Sequence, residues 1–463
     1  MSVRGGPVDS NFGVTIRPSQ HSPSISAKAD RPLWHLRAAN TPSLTEWVVA
    51  VLVAVIQQGA FVSVPLLLTG GSLDATIVTQ TPNPFNTIAV SASGAAILFF
   101  GFSSWRSMYG VVRGNTAQLI LTLFVVASMI WSIHSGLTLR RGSNYVLTMF
   151  FAIYLASRFT LDQAMRILSA SIALSGFGSI LFVAAFPNYG IAHEVNTVAA
   201  WRGVFAQKNP FGLTMSVGVF VECYLLASQL RRWNLFLLAV FLALIYYAHD
   251  ATAFMCSILY IFGAYNYTLF ARSRPLAFLS IIALGLTGIA AVVALWISPS
   301  LDLSFLNRDT TLTGRTNLWP MVLDLIRHRP VLGWGYAATW QQTDAGPAMI
   351  AKVLNWAPAH SHNEWLEVTL QLGLTGAALL LAVILVTISR GLQCFGINRT
   401  KLGFFVLLFV FGTAIHGVTE VVLVQSQSIA WVLFSLLGFK AGQAIERAQS
   451  GYANARPRVQ LAS

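Results

Sequence analysis

Twelve apolar stretches constrain this chain more than any other feature, because a helix needs about 20 mostly apolar residues to cross a bilayer. They lie at 44–68, 87–104, 115–133, 143–157, 166–187, 210–229, 233–249, 251–271, 276–298, 365–389, 402–420 and 425–441. The fourth is short and tight turns separate two pairs, so ten or eleven spans are alternatives to twelve. With 55% hydrophobic and 10% charged residues, the composition excludes an ordinary soluble domain. The pattern predicts an all-α polytopic membrane protein.

The basic residues predict how the chain is oriented. The formal charge is +13, but Lys and Arg occur in short clusters between apolar stretches, as loops on the cytoplasmic side do. Twelve spans would place both termini in the cytoplasm and leave outside loops such as Thr69–Asn86 and Gly417–Val424 without Lys or Arg. This scatter argues against a nucleic-acid partner and favours the lipid bilayer as the surrounding phase.

The predicted organisation has five parts, separated by composition. They are a disordered cytoplasmic N-terminal tail at 1–43, a bundle of nine spans at 44–298, a large periplasmic loop at 299–364 between spans nine and ten, three further spans at 365–441, and a cytoplasmic C-terminal tail at 442–463. A polar loop of that length is usually functional or disordered. Its tryptophans and glycine turns argue against disorder.

Three outside segments break the charge rule. They contain Arg140 and Arg141, Arg202 and Lys208, and, in the long loop, Arg315 with several other basic residues. Interfacial Arg and Lys often reach toward lipid headgroups on either face, which is the simpler explanation for any one of them. Three such segments on one side suggest a site for an anion.

The segment at 201–212, TrpArgGlyValPheAlaGlnLysAsnProPheGly, predicts a helix that begins at the outer surface. Asn209 is a favourable N-cap and Pro210 a favourable first helical residue. Free amides at a helix start, flanked by Arg202 and Lys208, form a potential anion site. The alternative is an ordinary capped helix with interfacial anchors.

The long loop contains a predicted surface helix and a glycine turn. Thr316 can cap a helix at about 317–328 that follows Arg315, and its apolar face suits a membrane surface. Gly333 and Gly335 indicate a turn. Trp334 and Tyr336 beside them offer flat surfaces suited to lipid headgroups or sugar rings.

Two histidines precede the tenth predicted span, and Asn363 is placed to cap it and, beside the histidines, is a further candidate for contact with substrate. His360 and His362 do not share a helix face, and no nearby Cys or third His completes a metal set, so we expect no metal. A histidine can accept a proton near neutral pH. The three cysteines are isolated, which argues against a disulfide framework and favours a packing role.

Four motifs in the second half resemble the O-antigen ligase and Wzy-type polysaccharide polymerase superfamily. They are ArgGlyValPhe..LysAsn..Gly at 202–212, ThrGlyArg...Trp at 313–319, ArgPro..Gly.GlyTyr at 329–336, and HisSerHisAsn..Leu....LeuGlnLeuGly at 360–373. Their wording is most similar to exopolysaccharide polymerases of the ExoQ type. The resemblance implies a bacterial inner-membrane glycosyltransferase of the GT-C kind, without metal or cofactor, that faces the periplasm.

The resemblance also implies substrates and roles. The donor would be a sugar chain on undecaprenyl pyrophosphate, the acceptor a saccharide or lipid, and other polysaccharide-assembly proteins would be partners. Arg202 and Arg315 would bind pyrophosphate, with Arg140 or Arg141 as a further basic position. His362 would be the catalytic histidine, with His360 as the alternative. Relatives carry a Ser-Arg pair where this chain has HisAspAlaThr at 249–252, so an arginine role there does not transfer.

Pyrophosphate gains negative charge as it leaves, so arginines and a helix start around it would stabilise the transition state. A neutral histidine would take the proton of the incoming hydroxyl, and attack opposite the leaving group would invert the anomeric centre. A polymerase and a ligase share this chemistry and differ in the acceptor. A transporter is a further alternative, suggested by Glu222 with Gln57 and Gln58 inside predicted spans.

Overall fold

The computed structural model describes residues 42–61, 64, 84–192, 199–273, 275–276 and 315–455. Within these ranges the chain is almost entirely helical. The N-terminal tail, the ninth predicted span and the part of the long loop before Arg315 lie outside the described residues.

The helices follow one another with short connections. In chain order they are α1 (Leu44–Ile56), α2 (Pro84–Phe102), α3 (Trp105–Arg113), α4 (Thr116–Ala127), α5 (Ser135–Arg158), α6 (Leu161–Ala185), α7 (Pro187–Gly190), α8 (Lys208–Leu226), α9 (Arg232–Ala248), α10 (Ala251–Arg272), α11 (Arg315–His328), α12 (Ala345–Leu354), α13 (Glu364–Gly396), α14 (Thr400–Gly417) and α15 (Ile429–Ala455). A 3-10 turn at Ser128–Ile130 extends α4. Strands β1 (Ile191–Ala192) and β2 (Ala200–Trp201) form a small antiparallel pair.

The prediction of an all-α polytopic membrane protein is confirmed. Every predicted span that falls on described residues overlaps a helix, although some bounds differ, as in the first span, whose helix ends at Ile56. Among those residues, seven helices are long and apolar enough to cross a membrane, or eight if the pair α3 and α4, bent by 94°, counts as one span. Others, such as α1 and α9, are apolar but shorter. The count of twelve spans is therefore not confirmed.

Helix α8 lies at the centre of one half of the bundle, because it packs against α6, α9 and α10. Its side chains are buried on nearly every face, including Phe211, Met215 and Phe220. A helix that is apolar all round is one that other helices surround. In the other half, α13 and α14 pack on α15, which also contacts α5. The beginning of α8 is consequently held in a fixed position.

The ArgPro..Gly.GlyTyr motif packs against a break in α13. At the break, Gly373 has a φ of +66°, and Gly333 in the motif also has a φ of +66°. Backbone hydrogen bonds join the two segments, from Trp334 N to Leu370 O at 3.0 Å and from Leu374 N to Pro330 O at 2.8 Å. The predicted glycine turn is present, and it fixes the loop to the helix that follows the histidines.

Replacing Gly373 with alanine is expected to lower the free energy of unfolding by about 2 kcal/mol or more. With φ +66° and ψ −173°, Gly373 has a backbone conformation that is essentially restricted to glycine and costs another residue about 1 to 3 kcal/mol, and the added Cβ would overlap the carbonyl group of Val331. Thermal unfolding of the purified protein would measure this. Gly136→Ala is the control, because no atom lies within 4 Å of its Cβ position. Equal unfolding midpoints for the two variants would contradict the prediction.

Candidate functional site

Helix α8 begins at Lys208 with Gln207 as its N-cap, so the predicted cap at Asn209 is wrong. The Asn209 side chain instead donates from Nδ2 to Oε1 of Glu420 at 2.6 Å. Pro210 lies in the first turn, where amide groups have no partner within the helix, so its missing N–H is tolerated. A helix does begin at the predicted place, and a long-range contact competes for its side-chain cap.

Glu420 joins three segments that are far apart in sequence. It lies in the turn between α14 and α15 and is only 5% exposed. Its Oε1 accepts hydrogen bonds from Arg315 Nη2 at 2.6 Å, Asn209 Nδ2 at 2.6 Å and His362 Nδ1 at 3.0 Å. Burial alone would raise the pKa of Glu420, but His362, His360 and Arg315 outweigh it and hold the pKa well below its usual range. The carboxylate therefore stays ionised among its donors.

Arg315 is the first residue of α11 and is 7% exposed. Its Nη2 binds Glu420, whereas its Nη1 is buried and has no hydrogen-bond partner in the described part of the chain. A buried donor without a partner costs about 1 to 3 kcal/mol, and more when charged. Half of this guanidinium is thus available to an anion that enters the site.

His362 is held in an unusual backbone conformation. Its φ is +51°, a left-handed value that is uncommon for residues other than glycine. The ring lies edge-on to Trp356, with centroids 5.9 Å apart. Because Glu420 accepts from Nδ1, the carboxylate favours the tautomer with its proton there, which leaves Nε2 as a proton acceptor.

His360 lies beside His362, with ring centroids 4.1 Å apart. Its Nδ1 accepts a hydrogen bond from the backbone N–H of His362 at 3.2 Å, and its Nε2 is 3.8 Å from Oε2 of Glu420. Burial and the neighbouring His362 lower the pKa of His360 to about 3. His360 is therefore neutral, with both ring nitrogens directed at protein groups.

A second carboxylate shapes the turn that carries Glu420. Glu364, the first residue of α13, accepts three backbone hydrogen bonds, from Val422 N at 2.5 Å, Leu423 N at 2.9 Å and Val424 N at 3.0 Å. The residue that follows the histidine motif thereby fixes the turn to which His362 binds.

Asn363 caps α13 as predicted, since its Oδ1 accepts from Leu366 N at 3.1 Å. Its Nδ2 donates to the carbonyl of Val418 at 3.0 Å. Both polar atoms of the amide therefore have protein partners. Asn363 thereby attaches the histidine segment to the Glu420 turn, and its contact with substrate stays a prediction.

A cavity of about 590 Å³ adjoins this cluster and includes His360 in its wall. Arg140 and Arg141 of α5 line it, as do Ala206 and Gln207 just before α8. The remaining polar wall contains one carboxylate, Glu367, and is otherwise rich in amides and hydroxyls, namely Gln58, Asn86, Thr87, Ser91, Ser143, Asn144, Thr214, Gln371, Gln425, Ser426, Gln427 and Ser428. The structure thus brings the two basic residues, the approach to α8 and one histidine to a single cavity.

Arg202 is buried beside that cavity's wall rather than in it. Its Nε donates to Tyr189 O at 2.8 Å, and its Nη1 donates to Ala206 O at 3.4 Å. These bonds tie the segment between β2 and α8 to the short helix α7. Lys208 is half-buried at the start of α8.

The two aromatic residues of the glycine turn differ in position. Trp334 donates from Nε1 to Leu325 O at 3.0 Å and lies under the guanidinium of Arg329, whose Cζ is 4.5 Å from its ring centroid. Tyr336 is 2% exposed, lines the cavity, and accepts at its hydroxyl from Ser426 N at 2.9 Å. Only Tyr336 is therefore placed where a substrate could approach.

The cluster contains residue types that can bind a metal ion, but it also contains an arginine that opposes one. His360, His362 and Glu420 could each offer a ligand atom, and these atoms lie within 4.8 Å of one another. The guanidinium of Arg315 already occupies Oε1 of that carboxylate, and its fixed positive charge opposes a cation there. The residues suit an anion better than a metal ion, and metal independence stays a prediction.

The HisAspAlaThr segment at 249–252 has no arginine, and it contacts the turn that carries Glu420. Asp250 caps α10 by accepting from Ala253 N at 3.0 Å. The hydroxyls of Thr252 and Thr419 are hydrogen-bonded at 2.9 Å, directly beside Glu420. This segment therefore supports the turn that carries Glu420.

The residues that suggested a transporter belong to separate buried networks. Glu222 accepts from Ser169 Oγ at 2.5 Å and from Asn234 Nδ2 at 2.6 Å. Gln58 donates to Ser171 Oγ at 2.9 Å, and Gln57 accepts from Thr148 Oγ1 at 2.7 Å. These contacts join neighbouring helices, as structural polar residues do in membranes.

Sequence reasoning missed Glu420. The turn Gly417–Val424 contains neither Lys nor Arg, the residues on which the predicted orientation depends. The signal was a single acidic residue in a turn that is otherwise uncharged, on the side where three basic segments collect. A lone carboxylate opposite several cations is a natural partner for them.

Comparison with known proteins points to one class. A family profile described as O-antigen ligase matches residues 212–381. The exopolysaccharide production protein ExoQ of Rhizobium meliloti (strain 1021) is 28% identical over 301 residues, which cover 60% of this chain and 66% of that protein. A protein of Rickettsia prowazekii (strain Madrid E), provisionally described as a polysaccharide ligase, is 24% identical over 300 residues, covering 62% of this chain and 70% of its own. The similarity thus spans about two thirds of these relatives.

Proposed function

We propose, from the premise that this chain belongs to the O-antigen ligase and ExoQ-like superfamily, that it is a glycosyltransferase that polymerises undecaprenyl-pyrophosphate-linked oligosaccharide repeats. The observation that carries the proposal is the convergence on one oxygen of Glu420 of Arg315, Asn209 and His362. A base, its orienting carboxylate and an arginine with a free donor are thereby assembled. The enzyme would work at the periplasmic face of the bacterial inner membrane, with both termini in the cytoplasm.

The base in this proposal is Nε2 of His362. The acceptor hydroxyl gives its proton to Nε2 as its oxygen attacks the anomeric carbon of the donor sugar. Glu420, which accepts from Nδ1, orients the ring and stabilises the imidazolium that forms. The bond from the anomeric carbon to the pyrophosphate oxygen breaks on the opposite face, so the configuration inverts.

The leaving pyrophosphate is assigned to the basic groups around the start of α8. Arg315 offers the unpartnered Nη1, and Lys208 lies at the helix start, where backbone amides favour anions. Arg202 shapes the segment that leads there. Fixed donors of this kind act most strongly on charge that develops in the transition state.

The saccharide is assigned to the cavity of about 590 Å³, which is a suitable size for a few sugar units. Amides such as Asn144 and Gln425 can match sugar hydroxyls, and Tyr336 supplies an aromatic wall. Arg140 and Arg141 at its rim suit a donor with negative charge. This cavity touches His360, so its occupant would lie beside the base.

The second candidate function is a ligase that moves a finished polysaccharide from the same carrier to lipid A core or another acceptor. The profile described as O-antigen ligase and the Rickettsia relative favour it, whereas the relative described as an exopolysaccharide production protein favours the polymerase. Deleting the gene separates the two. Loss of long polymer with single repeats retained supports the polymerase, and long carrier-linked chains that accumulate would support the ligase.

Purified full-length protein, incubated with an undecaprenyl-pyrophosphate oligosaccharide, is expected to form products of increasing length and to release undecaprenyl pyrophosphate. A metal chelator should leave the rate within about twofold, because arginine takes the charge that a metal would otherwise neutralise. The matched control is Arg329→Gln, an arginine of the same loop that packs on Trp334. If Arg202→Ala, Arg315→Ala and His362→Ala all transferred sugar at the wild-type rate, the assignment of the site would be refuted.

A further inference from the structure

A second polar cavity, of about 690 Å³, opens among the ends of several helices. Five basic residues line it, namely Arg158, Arg399, Lys401, Lys440 and Arg447. They come from the end of α5, the beginning of α14 with the turn before it, and the middle and second half of α15. Apolar side chains such as Phe159, Leu161 and Leu402 complete its wall.

This cavity lies at the opposite end of the bundle from the candidate site. Helix α5 carries Arg141 beside the first cavity and Arg158 beside the second, 17 residues later, or about 26 Å along the helix axis. The first turn of helix α14 lies in the wall of the second cavity, and the helix ends next to the Glu420 turn. The two cavities therefore face opposite sides of the membrane, and the proposed function does not use the second one.

The charge in this cavity is only partly balanced by the protein. Arg158 forms a two-point ion pair with Glu46, through Nε at 2.5 Å and Nη2 at 2.9 Å, so its charge is neutralised. Asp162, the one acidic residue in the wall, accepts from the hydroxyl of Tyr224 at 2.8 Å. The other four basic residues face a single carboxylate.

Lys440 and Lys401 contact carbonyl groups and an aromatic ring, respectively, rather than carboxylates. Lys440 Nζ donates to the carbonyls of Ala156 and Phe159, both at 2.6 Å. Lys401 Nζ lies over the ring of Tyr224, 3.7 Å from its centroid. An ammonium group has three donors, so Lys440 retains one after these two bonds.

We propose that this cavity binds a phosphate-bearing anion, either the headgroup of an anionic phospholipid or a soluble phosphate. Basic pockets between transmembrane helices on the cytoplasmic side have the chemistry that recognises phosphate headgroups. The two lysines direct N–H donors into the cavity, and Arg399 and Arg447 add exposed positive charge at its mouth. Neighbouring apolar walls suit the upper part of an acyl chain.

The test uses the purified full-length protein and titrates three probes against its thermal unfolding. They are phosphatidylglycerol, phosphatidylcholine and inorganic phosphate. The variant Arg399→Gln with Arg447→Gln is expected to raise the apparent dissociation constant of the anionic probe about tenfold. Arg272→Gln is the matched control, because Arg272 is also exposed and ends α10 on the same side, outside the cavity.

The three probes separate the two sources of phosphate. Stabilisation by phosphatidylglycerol alone identifies a lipid headgroup, and stabilisation by inorganic phosphate identifies a soluble anion. Equal stabilisation by phosphatidylcholine, or an equal loss of binding in Arg272→Gln, would overturn the proposal. If the double variant does not fold, Arg447→Gln alone is expected to weaken binding about threefold and is judged in the same way.

Discussion

Replacing His362 with alanine is expected to lower kcat for sugar transfer about a thousandfold, because positioned proton transfer contributes roughly a hundredfold to ten-thousandfold. Nδ1 of His362 is bound by Glu420 at 3.0 Å, so Nε2 is the atom that can receive the proton of the acceptor hydroxyl. KM for the donor should change little. Steady-state kinetics with the lipid-linked donor would measure both constants.

The matched control for this variant is His134→Ala. His134 also pairs with a carboxylate, through Nε2 to Asp344 at 2.9 Å, but it lies outside the cluster around Glu420. Its loss should leave kcat within about threefold. An equal loss in both variants would indicate a general effect of removing a histidine and would contradict the role of His362.

His360→Ala decides between the two histidines of the motif. Both ring nitrogens of His360 face protein groups, and burial keeps it neutral with a pKa of about 3. Its removal should therefore lower kcat less than that of His362, by about tenfold through loss of ring packing. If His360→Ala were the more damaging change, His360 would be the base and its contact with the first cavity would explain why.

Much of the fold could be predicted from the sequence, because a bilayer imposes a simple length and polarity on every span. The helices α6, α10 and α14 fall where apolar stretches of about twenty residues do. The number of spans was harder, since α1 and α9 are apolar but short and α3 and α4 meet at a sharp bend. Hydropathy does not encode such bends.

The site was predictable where its residues share a local motif. His362 and Asn363 are adjacent, and the cap made by Asn363 is a short-range hydrogen bond. Glu420 was not predictable in this way, because nothing near it in sequence reveals its partners. Asn209 illustrates the same limit: its local preference for a cap is outweighed by a charged acceptor 211 residues away.

Trp334 shows that a residue within a recognisable motif can have a packing role. Its indole donates to Leu325 O and lies under Arg329, so this part of the turn fixes the loop on α13, and a substrate contact of Trp334 stays a prediction. Backbone contact between Gly333 and the break at Gly373 completes that attachment. Tyr336 lines the cavity and Trp334 does not, because of the way the chain folds, which a linear sequence pattern does not contain.

Glu420→Gln is expected to lower kcat about a hundredfold while the protein still folds. The amide has the same size and one oxygen acceptor, but it has no negative charge to stabilise the imidazolium of His362 or to balance Arg315. Kinetics and thermal unfolding should be measured together. Asp344→Asn is the matched control, because it removes the charge from the other histidine–carboxylate pair and should leave kcat within about threefold.

The double variant Glu420→Gln with His362→Ala tests whether Glu420 acts by positioning His362 or independently of it. If Glu420 acts through His362, the double variant should be no slower than His362→Ala alone, because residues that work as one unit lose their effect together. Combining Glu420→Gln with Arg315→Ala should give a larger loss than either change, since Arg315 also acts on the pyrophosphate. If the losses of kcat in Glu420→Gln and His362→Ala were fully additive in the double variant, the hydrogen bond between the two residues would not contribute to the reaction.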